Sequence, residues 1–470
     1  MKKLSCGLML GVTLFLLMLT ARGETLRALP GKTSLTEALA CASDGDVIEI
    51  GAGEYNESNE TFPLVINKRV TLRGTDGTVI NAPAFKAAFR VEADGVILEG
   101  LAIQMRRTGL YVVGDDLTVK NCSITLADTA WRTSSCGVWM GGVRRAKFIN
   151  CAFTGCSISM AGPPLSPESK NKPVLTGLFE CGDDTDYFTS HTIENCTVNG
   201  RRLVYLANRA NVCLNGDTGA GSVILACCRD VTLSQADVSE SSMGITLAYC
   251  QNVSLRACRA DRCGIFGFYL VYCDNAVIES CSTDGTNHGI DLRASHHLTV
   301  RNCTAENCEQ GIFFSHVNNS RVLNCTVSDT GQGYFFAAGN HNLVMGSSAE
   351  RCENGFNVQK ENDMLITDCS MDGNTTCAVR LDGSPTIFSN NTLTGNWVGV
   401  MAYGNAEFTL TGNRFENSGS CGLYLRDINF SRVTGNVFSN SAESSVQAHG
   451  VISGTMLDCN EVDVPISTEE

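Results

Sequence analysis

The sequence predicts an all-β protein, a right-handed parallel β-helix built from coils of about 22 residues. Two columns of residues carry this prediction. In the first, a small residue recurs every 21 to 23 positions, at Gly244, Gly267, Gly289, Gly311, Gly333, Gly355, Ala378, Gly399 and Gly422. The second lies eight or nine residues earlier, at Ala236, Cys258, Cys281, Cys303, Cys325, Ser347, Cys369, Asn391, Asn413 and then Asn436. The period is shorter than a βαβ unit of roughly 30 residues.

Each repeat contains a short β segment, a bend at Cys or Asn, a second β segment, and Gly followed by an alternating strand such as GIDLR (289–293) or GLYLR (422–426). A unit this small cannot bury its apolar face alone, so neighbouring units must stack. A leucine-rich repeat has a similar period but requires a repeated L-x-x-L-x-L-x-x-N framework. This chain prefers Val, Ile, Phe and Cys, which favours the β-helix.

The expected organisation has four parts. Residues 1–23 have a basic start, an apolar run and small residues, as in a secretory signal peptide. Residues 24–63 form an N-terminal cap and first coil, with a short helix starting at the capping box SLTE (34–37). Residues 64–450 form the β-helix, interrupted by an inserted loop at 160–190 that holds four of the nine prolines. Residues 451–470 form a C-terminal cap or tail.

Composition limits the compartment and the partners. A secreted, periplasmic or cell-surface protein is expected, with no membrane span after signal removal. Removal of residues 1–23 leaves 32 basic and 49 acidic residues, a net charge of −17, which disfavours nucleic acid as a partner. It also leaves 23 cysteines, an odd number. Cys281, Cys303 and Cys325 are expected to stack as buried hydrophobes, while disulfide connectivity and oligomeric state stay open.

The stretch 195–263, which begins NCTVNGRRLVYLANRANVCLNG and contains GAGSVILACCRDVTLS, resembles NosD-like β-helix proteins. The opening SLTEALACASDGDVIEIGAGEY (34–55) is similar to the entry of pectin-lyase-like β-helices. The resemblance implies the fold, periplasmic copper delivery from the family name, and carbohydrate binding or cleavage from the broader class. None of these activities carries over residue by residue. The adjacent His296 and His297 point apart in a strand, so no metal site is predicted.

Alternation after each repeat glycine directs the second and fourth strand residues outward. The resulting stripe mixes aromatic, charged and amide groups, which suits stacking on sugar rings and hydrogen bonding to hydroxyls or carboxylates. The predicted partner is therefore a polysaccharide or cell-surface glycan. Ordinary β propensity also places aromatics in stacked columns. The predicted ligand-binding residues are Tyr269, Asp291, Arg293, Phe313, Asn357, Arg380, Asp382, Tyr403 and Tyr424.

Catalysis on this stripe is left open. A lyase acting on a uronate needs a cation, for which Arg293, Lys360 and Arg380 are candidates, and a base, for which His288 or His316 are candidates. A glycosidase needs two carboxylates about 5 to 9.5 Å apart. Asp291 and Asp382 lie four coils apart, roughly 19 Å, and Asp382 with Glu361 is nearer, although both are expected to be ordinary solvated charges.

No cofactor is assigned, although Asp183, Asp184 and Asp186 in the inserted loop suit Ca²⁺ or, more simply, acidic loop solvation. Three functions therefore remain: a polysaccharide-binding protein, a polysaccharide lyase or glycoside hydrolase on the same face, and a structural surface spacer. The sequence does not identify the glycan.

Overall fold

A computed structural model describes residues 23–128, 135–162, 184–215, 219–404, 407–450, 454–464 and 466–469. It confirms the predicted fold class, a parallel β-solenoid of about 18 turns. Nearly all of the predicted signal peptide and residues 163–183 of the predicted inserted loop lie outside the described residues. None of the helices within the described ranges has the length and apolar character needed to cross a bilayer.

Before residue 199 each full coil contributes strands to three sheets. Sheet A comprises Thr25–Ala28, Val47–Ile50, Thr71–Gly74, Ile97–Glu99, Thr118–Lys120, Lys147–Ile149 and Thr192–Glu194. Sheet B comprises Leu64–Ile66, Ala87–Val91, Thr108–Val112, Cys136–Gly141 and Ile158–Ala161. The early strands of sheet C are Gly53–Tyr55, Thr78–Asn81, Ala102–Met105, Ser123–Leu126, Ala152–Thr154 and Thr197–Val198.

After residue 200 the coils continue sheet C with longer strands and add two new sheets. The later strands of sheet C are Arg201–Ala207, Ala220–Ala226, Met243–Ala248, Phe266–Val271, His288–Arg293, Gln310–Ser315, Gln332–Ala337, Asn354–Gln359, Cys377–Asp382, Val398–Tyr403, Cys421–Arg426, Ser444–His449 and Ser467–Glu469. Sheet D comprises Ala210–Leu214, Arg229–Ser234, Gln251–Arg256, Asp274–Glu279, Thr299–Arg301, Arg321–Leu323, Leu343–Met345, Met364–Thr367, Thr386–Ser389, Thr409–Thr411, Arg432–Thr434 and Met456–Asp458. Sheet E comprises Ser282–Asp284, Thr304–Glu306, Thr326–Ser328, Ser348–Glu350, Ser370–Asp372, Thr392–Thr394, Arg414–Glu416, Val437–Ser439 and Glu461–Val462.

Two short helices accompany the coils in the described part of the chain. The first, Leu35–Cys41, starts at the predicted capping box: the Ser34 side chain accepts from the Glu37 N–H, and the Glu37 carboxylate accepts from the Ser34 N–H. The buried Glu60 carboxylate also accepts from the N–H groups of Leu35 and Thr36 at 2.7 and 2.8 Å. The helix start is therefore fully hydrogen-bonded. The second helix is Asp186–Thr189, within the range predicted as loop.

The glycine column lies where successive coils approach each other closely. A Cβ added at Gly289 would lie 2.7 Å from the Gly311 carbonyl oxygen, and one at Gly311 would lie 2.4 Å from a methyl carbon of Val327. The Cys and Asn column is buried: Cys281, Cys303 and Cys325 are each 1 % exposed. The Cys303 thiol donates to the Ile278 carbonyl of the preceding coil, so these cysteines also bridge coils, beyond the packing expected from sequence.

The chain reverses its strand direction at Asn199 and Gly200. Strands Thr197–Val198 and Arg201–Ala207 pair antiparallel, whereas the pairings on either side are parallel. The reversal separates a first hydrophobic core, with members from Ala28 to Leu203, from a second core with members from Val204 to Ala448. The first core also includes residues of later strands, namely Ile224, Ala226, Ala248 and Val271.

Candidate functional site

The predicted stripe exists as part of a three-column face on the outside of sheet C. Backbone pairing aligns the central column Tyr269, Asp291, Phe313, Phe335, Asn357, Arg380, Met401, Tyr424 and Gln447. One flanking column contains Phe266, His288, Gln310, Gln332, Asn354 and Cys377, and the other contains Val271, Arg293, Ser315, Ala337, Gln359, Asp382, Tyr403, Arg426 and His449. We call this surface the sheet C face.

The early end of the sheet C face meets the first part of the chain. Tyr111 and Trp139 on the outer side of sheet B stack with ring centroids 4.6 Å apart, and they cluster with Met243 and Phe266. The Met243 N–H donates to the Ser157 hydroxyl at 3.1 Å. This end of the face is therefore an internal junction between the two cores.

A buried ionic cluster lies next to the junction. The Arg293 guanidinium donates to both carboxylate oxygens of Asp291, at 2.6 and 2.8 Å, and His288 Nδ1 lies 2.8 Å from Asp291 Oδ2. The Arg293 side chain also lies over the rings of Phe266 and Phe313, 5.6 and 5.1 Å from their centroids. The Arg293 guanidinium is thus held by the Asp291 carboxylate and by two aromatic rings at once.

Protonation within this cluster follows from its geometry. Burial opposes ionisation of the Asp291 carboxyl, but the charge of Arg293 and its hydrogen bonds outweigh that cost, so the pKa of Asp291 lies below its ordinary value. Burial likewise opposes the charge on Arg293, yet Asp291 holds the pKa of Arg293 above its usual range. The two residues therefore form an ion pair whose charges compensate each other.

Three residues of the predicted outward ligand-binding stripe are buried instead of accessible. Asp291 is 0 %, Arg293 4 % and Asn357 7 % exposed. Asp291 is covered because Arg293 folds over it, and Asn357 is enclosed by amides, since it donates to Gln332 and accepts from Gln359. The candidate base His288 is also only 4 % exposed. These residues do not offer an open surface to a polymer.

The aromatic members near the middle of the face are partly accessible. Tyr269 is partly buried and stacks on Phe266 at 4.5 Å, inside the junction. Phe313 and Phe335 are partly exposed and stack almost in parallel, with centroids 4.9 Å apart and planes 5° apart. They form a short apolar platform between the ionic cluster and the amides.

The late end of the face is open. Arg380 is exposed, and its guanidinium carbon lies 5.2 Å from the ring centroid of Tyr403. Tyr403 and Tyr424, both partly exposed, have centroids 5.9 Å apart. Arg426 has 61 % of its side chain exposed. Asp382 is partly buried. We call Arg380, Tyr403, Tyr424 and Arg426 the open section.

The remaining catalytic candidates do not converge on this face. Lys360 is exposed at the corner that follows strand Asn354–Gln359, with φ of 53°, and His316 is exposed at the corresponding corner after Gln310–Ser315. Glu361, expected to be solvated, is instead 0 % exposed and points into the solenoid, where it accepts from the Gly339 N–H at 2.8 Å. It therefore forms no surface pair with Asp382.

One of the three acidic loop candidates, Asp184, is occupied by protein partners. Asp183 lies outside the described residues, and Asp184 pairs with Arg144 while accepting from the Asp186 N–H at 3.1 Å. Hydrogen bonding to Arg144 lowers the pKa of Asp184. Both Asp184 oxygens are thus used within the chain.

Sequence reasoning missed the junction. The sequence did contain a sign of the junction. At the outward positions of the first long strands, Thr246, Ala248 and Val271 are small or apolar, whereas the same positions in later coils hold Arg and Tyr. The alternation rule places Arg426 outward, two residues after Tyr424 on the same face, but Arg426 was not included among the predicted ligand-binding residues.

Comparison with known proteins identifies the chain. The family model described as periplasmic copper-binding protein (NosD) matches residues 194–357 and 324–456, together more than half of the sequence. The protein belongs to the NosD family. A second family model, a protein of unknown function (DUF1565), matches residues 21–155. No curated protein matches the chain.

Three solved structures match the chain over most of its length, at low identity and with low TM-scores. A PL6 alginate lyase in complex with a trisaccharide is 11 % identical, with a TM-score of 0.29 over 84 % of this chain and 86 % of its own. The mannuronan C-5 epimerase A-module of Azotobacter vinelandii is 14 % identical, with a TM-score of 0.31 over 90 and 94 %. A periplasmic alginate epimerase is 12 % identical, with a TM-score of 0.35 over 90 and 85 %.

The family description names copper, a metal that would need suitable donor groups in this NosD-family chain. Within the described ranges, no group of three or more His, Cys, Asp or Glu side chains is placed to hold a metal ion. His296 and His297 turn to different partners, Asn318 and Asp274. The column thiols are buried donors to carbonyls, and hydrogen bonding to Cys281 and Cys325 together with burial raises the pKa of Cys303. These residues do not fit copper, which favours clustered His, Met or thiolate ligands.

Proposed function

We propose that this protein is an exported β-helix that binds extracellular or cell-surface polysaccharide through the open section of the sheet C face. The observation that carries the proposal is the alignment of accessible aromatic and cationic side chains on consecutive coils. Tyr403 and Tyr424 lie on neighbouring strands beside Arg380 and Arg426. Export is supported by the signal-like residues 1–23 and by the periplasmic description of the family.

The geometry favours a polymer over a small ligand. Neighbouring coils are about 4.8 Å apart, comparable to the length of one pyranose residue, so a chain along the solenoid axis presents about one sugar to each coil. Partly exposed aromatic rings stack on sugar rings while nearby polar groups bind hydroxyls. Phe313 and Phe335 extend the apolar part of the same face toward the junction.

The enzyme alternative has less support. A lyase needs a base that can reach the substrate, and His288 is buried beside Asp291. A glycosidase needs two facing carboxylates, and among the described residues Asp382 is the one acidic member of the accessible face. Lys360, Arg380 and His316 remain candidates for catalysis. A structural spacer remains the third reading.

The test replaces both tyrosines, Tyr403→Ala and Tyr424→Ala, and measures retention of the purified protein in gels that contain immobilised polysaccharides. Each aromatic contact contributes about 0.5 to 1.5 kcal/mol, so the double variant is expected to bind about tenfold more weakly. Phe430→Ala is the matched control, because Phe430 is 70 % exposed away from the strand. Wild-type retention by the double variant would contradict the proposal, and new unsaturated uronate absorbance or reducing ends would favour the enzyme.

A further inference from the structure

The two arginines of the open section differ from exposed arginines elsewhere on the protein. Arg351 donates to Asp329 at 2.7 and 2.9 Å, and Arg145 donates to Asp116 at 2.7 and 2.8 Å. Arg380, by contrast, forms no ion pair with the described residues. Arg426 lies 3.8 Å from Asp427, beyond hydrogen-bonding distance. Both guanidiniums therefore keep donors available.

The ladder fixes the spacing of these two charges. Arg380 pairs with Met401, and Met401 pairs with Tyr424, whose strand also carries Arg426 on the same face. The arginines are therefore two coils apart, about 10 Å along the axis. Tyr403 belongs to the coil between the two arginines, because it pairs with Asp382 on the strand of Arg380 and with Arg426 on the next strand. The order along the axis is cation, aromatic ring, cation.

A charged ligand is favoured here because, among the described residues, no carboxylate is hydrogen-bonded to either guanidinium, and the one ion-pair partner, Asp427, lies 3.8 Å from Arg426. On the same face, Arg293 is fully paired by Asp291 and buried. Asp382 follows Arg380 by two residues but is partly buried and forms no ion pair with it. The planar guanidinium fork binds a carboxylate through two parallel hydrogen bonds. An exposed fork beside an aromatic ring therefore suits a sugar that carries a carboxylate.

We infer that the open section binds an acidic polysaccharide that has a uronate at alternate sugars and is aligned with the solenoid axis. Arg380 and Arg426 each bind one carboxylate, while the sugar between the two uronates stacks on Tyr403. The inference rests on the proposed function and specifies its ligand. It requires no metal and no chemical change in the polymer. Such a site would let this protein, whose net charge is negative, bind an acidic polymer that the net charge alone would repel.

The test compares wild type with Arg380→Gln, Arg426→Gln and the double variant on unsulfated chondroitin, in which uronate alternates with a neutral sugar. Carboxyl-reduced chondroitin is the matched neutral polymer, and dextran sulfate tests whether a sulfate ester replaces the carboxylate. Arg351→Gln is the matched control, because its guanidinium is exposed but outside the face. Circular dichroism confirms that each variant is folded.

The double variant is expected to lose at least about tenfold in affinity for chondroitin and most of the salt dependence of binding. Binding to the carboxyl-reduced polymer is expected to be weaker in wild type and unchanged by the arginine substitutions. Equal wild-type binding to both chondroitin forms, unchanged by the substitutions, would overturn the inference and leave the proposed function intact. Preference for dextran sulfate would overturn the choice of carboxylate. Absence of binding to any polymer would overturn both proposals.

Discussion

Glu361 is a carboxyl group held inside the solenoid, and replacing it tests the packing directly. Its carboxylate accepts from the Gly339 N–H at 2.8 Å and from Asn342 Nδ2 at 3.1 Å. A Cβ at Gly339 would lie 2.6 Å from Glu361 Oε1, so the missing side chain leaves the space that the carboxylate fills. Burial raises the pKa of Glu361 from its ordinary value of 4.5 to about 7, although the hydrogen bonds from Asn342 and Gly339 oppose the shift.

The sign of the pH effect follows from proton binding. Between pH 4.5 and about 7 the folded protein keeps the proton of Glu361 while the unfolded chain has released it. The free energy of unfolding therefore falls as pH rises through this window. At about 1.4 kcal/mol per pKa unit, the contribution lost by pH 8 is about 3 kcal/mol. Glu361→Gln cannot ionise and is expected to lack this loss.

The assay is urea unfolding followed by circular dichroism at pH 5 and pH 8 for wild type, Glu361→Gln and the exposed control Glu353→Gln. The quantity compared is the difference in free energy of unfolding between Glu361→Gln and wild type, because other groups titrate equally in both. This difference is expected to shift in favour of Glu361→Gln by about 2.5 kcal/mol between the two pH values, because part of the effect is already present at pH 5. A difference that stays constant, as expected for Glu353→Gln, would refute a buried neutral carboxyl.

Two further substitutions test single buried residues, Cys303 in the cysteine column and Asp291 in the sheet C face. Cys303→Asp places an unpaired charge among stacked thiols and is expected to lower stability by more than about 4 kcal/mol, whereas Cys303→Ser is the size-matched control; a small change in unfolding midpoint for the aspartate would show that the column faces water. Asp291→Asn leaves the Arg293 charge uncompensated and is expected to cost about 3 to 5 kcal/mol, measured by urea unfolding. Adding Arg293→Met should restore much of that loss, and a double variant as unstable as Asp291→Asn would contradict the ion-pair account.

The features predicted correctly from sequence are those that each coil specifies by itself. The glycine column is needed because one coil touches the next, and the Ser34 capping box is local to one helix. The glycine column is visible in the sequence as a repeat, and the capping box as a short motif. Glu361 had a repeat signature too, since it follows the buried positions Ser295, Val317 and Gly339 at intervals of 22. Its charge was nevertheless interpreted as a surface feature.

The junction was not predictable in the same way, because it depends on a relation between distant coils. The reversal at Asn199 and Gly200 leaves the 22-residue period of later strands unchanged, so periodicity carries no sign of it. Only the reversal brings Trp139 against Phe266 and turns outward positions such as Val271 into core. Burial of Asp291 and Arg293 likewise depends on how Arg293 folds over its neighbours, which alternation does not specify.

The formal net charge of −14 does not prevent an acidic polymer from binding at the open section, because salt screens the repulsion from acidic side chains that lie far from the two arginines. The Debye length is about 8 Å at physiological ionic strength, shorter than the roughly 10 Å between Arg380 and Arg426. A carboxylate at hydrogen-bonding distance from either guanidinium therefore experiences that arginine more strongly than acidic groups several coils away. Because Asp291 neutralises Arg293 within the face, the accessible arginines of the sheet C face lie at the late coils, and the proposed ligand site is therefore the open section and not the junction.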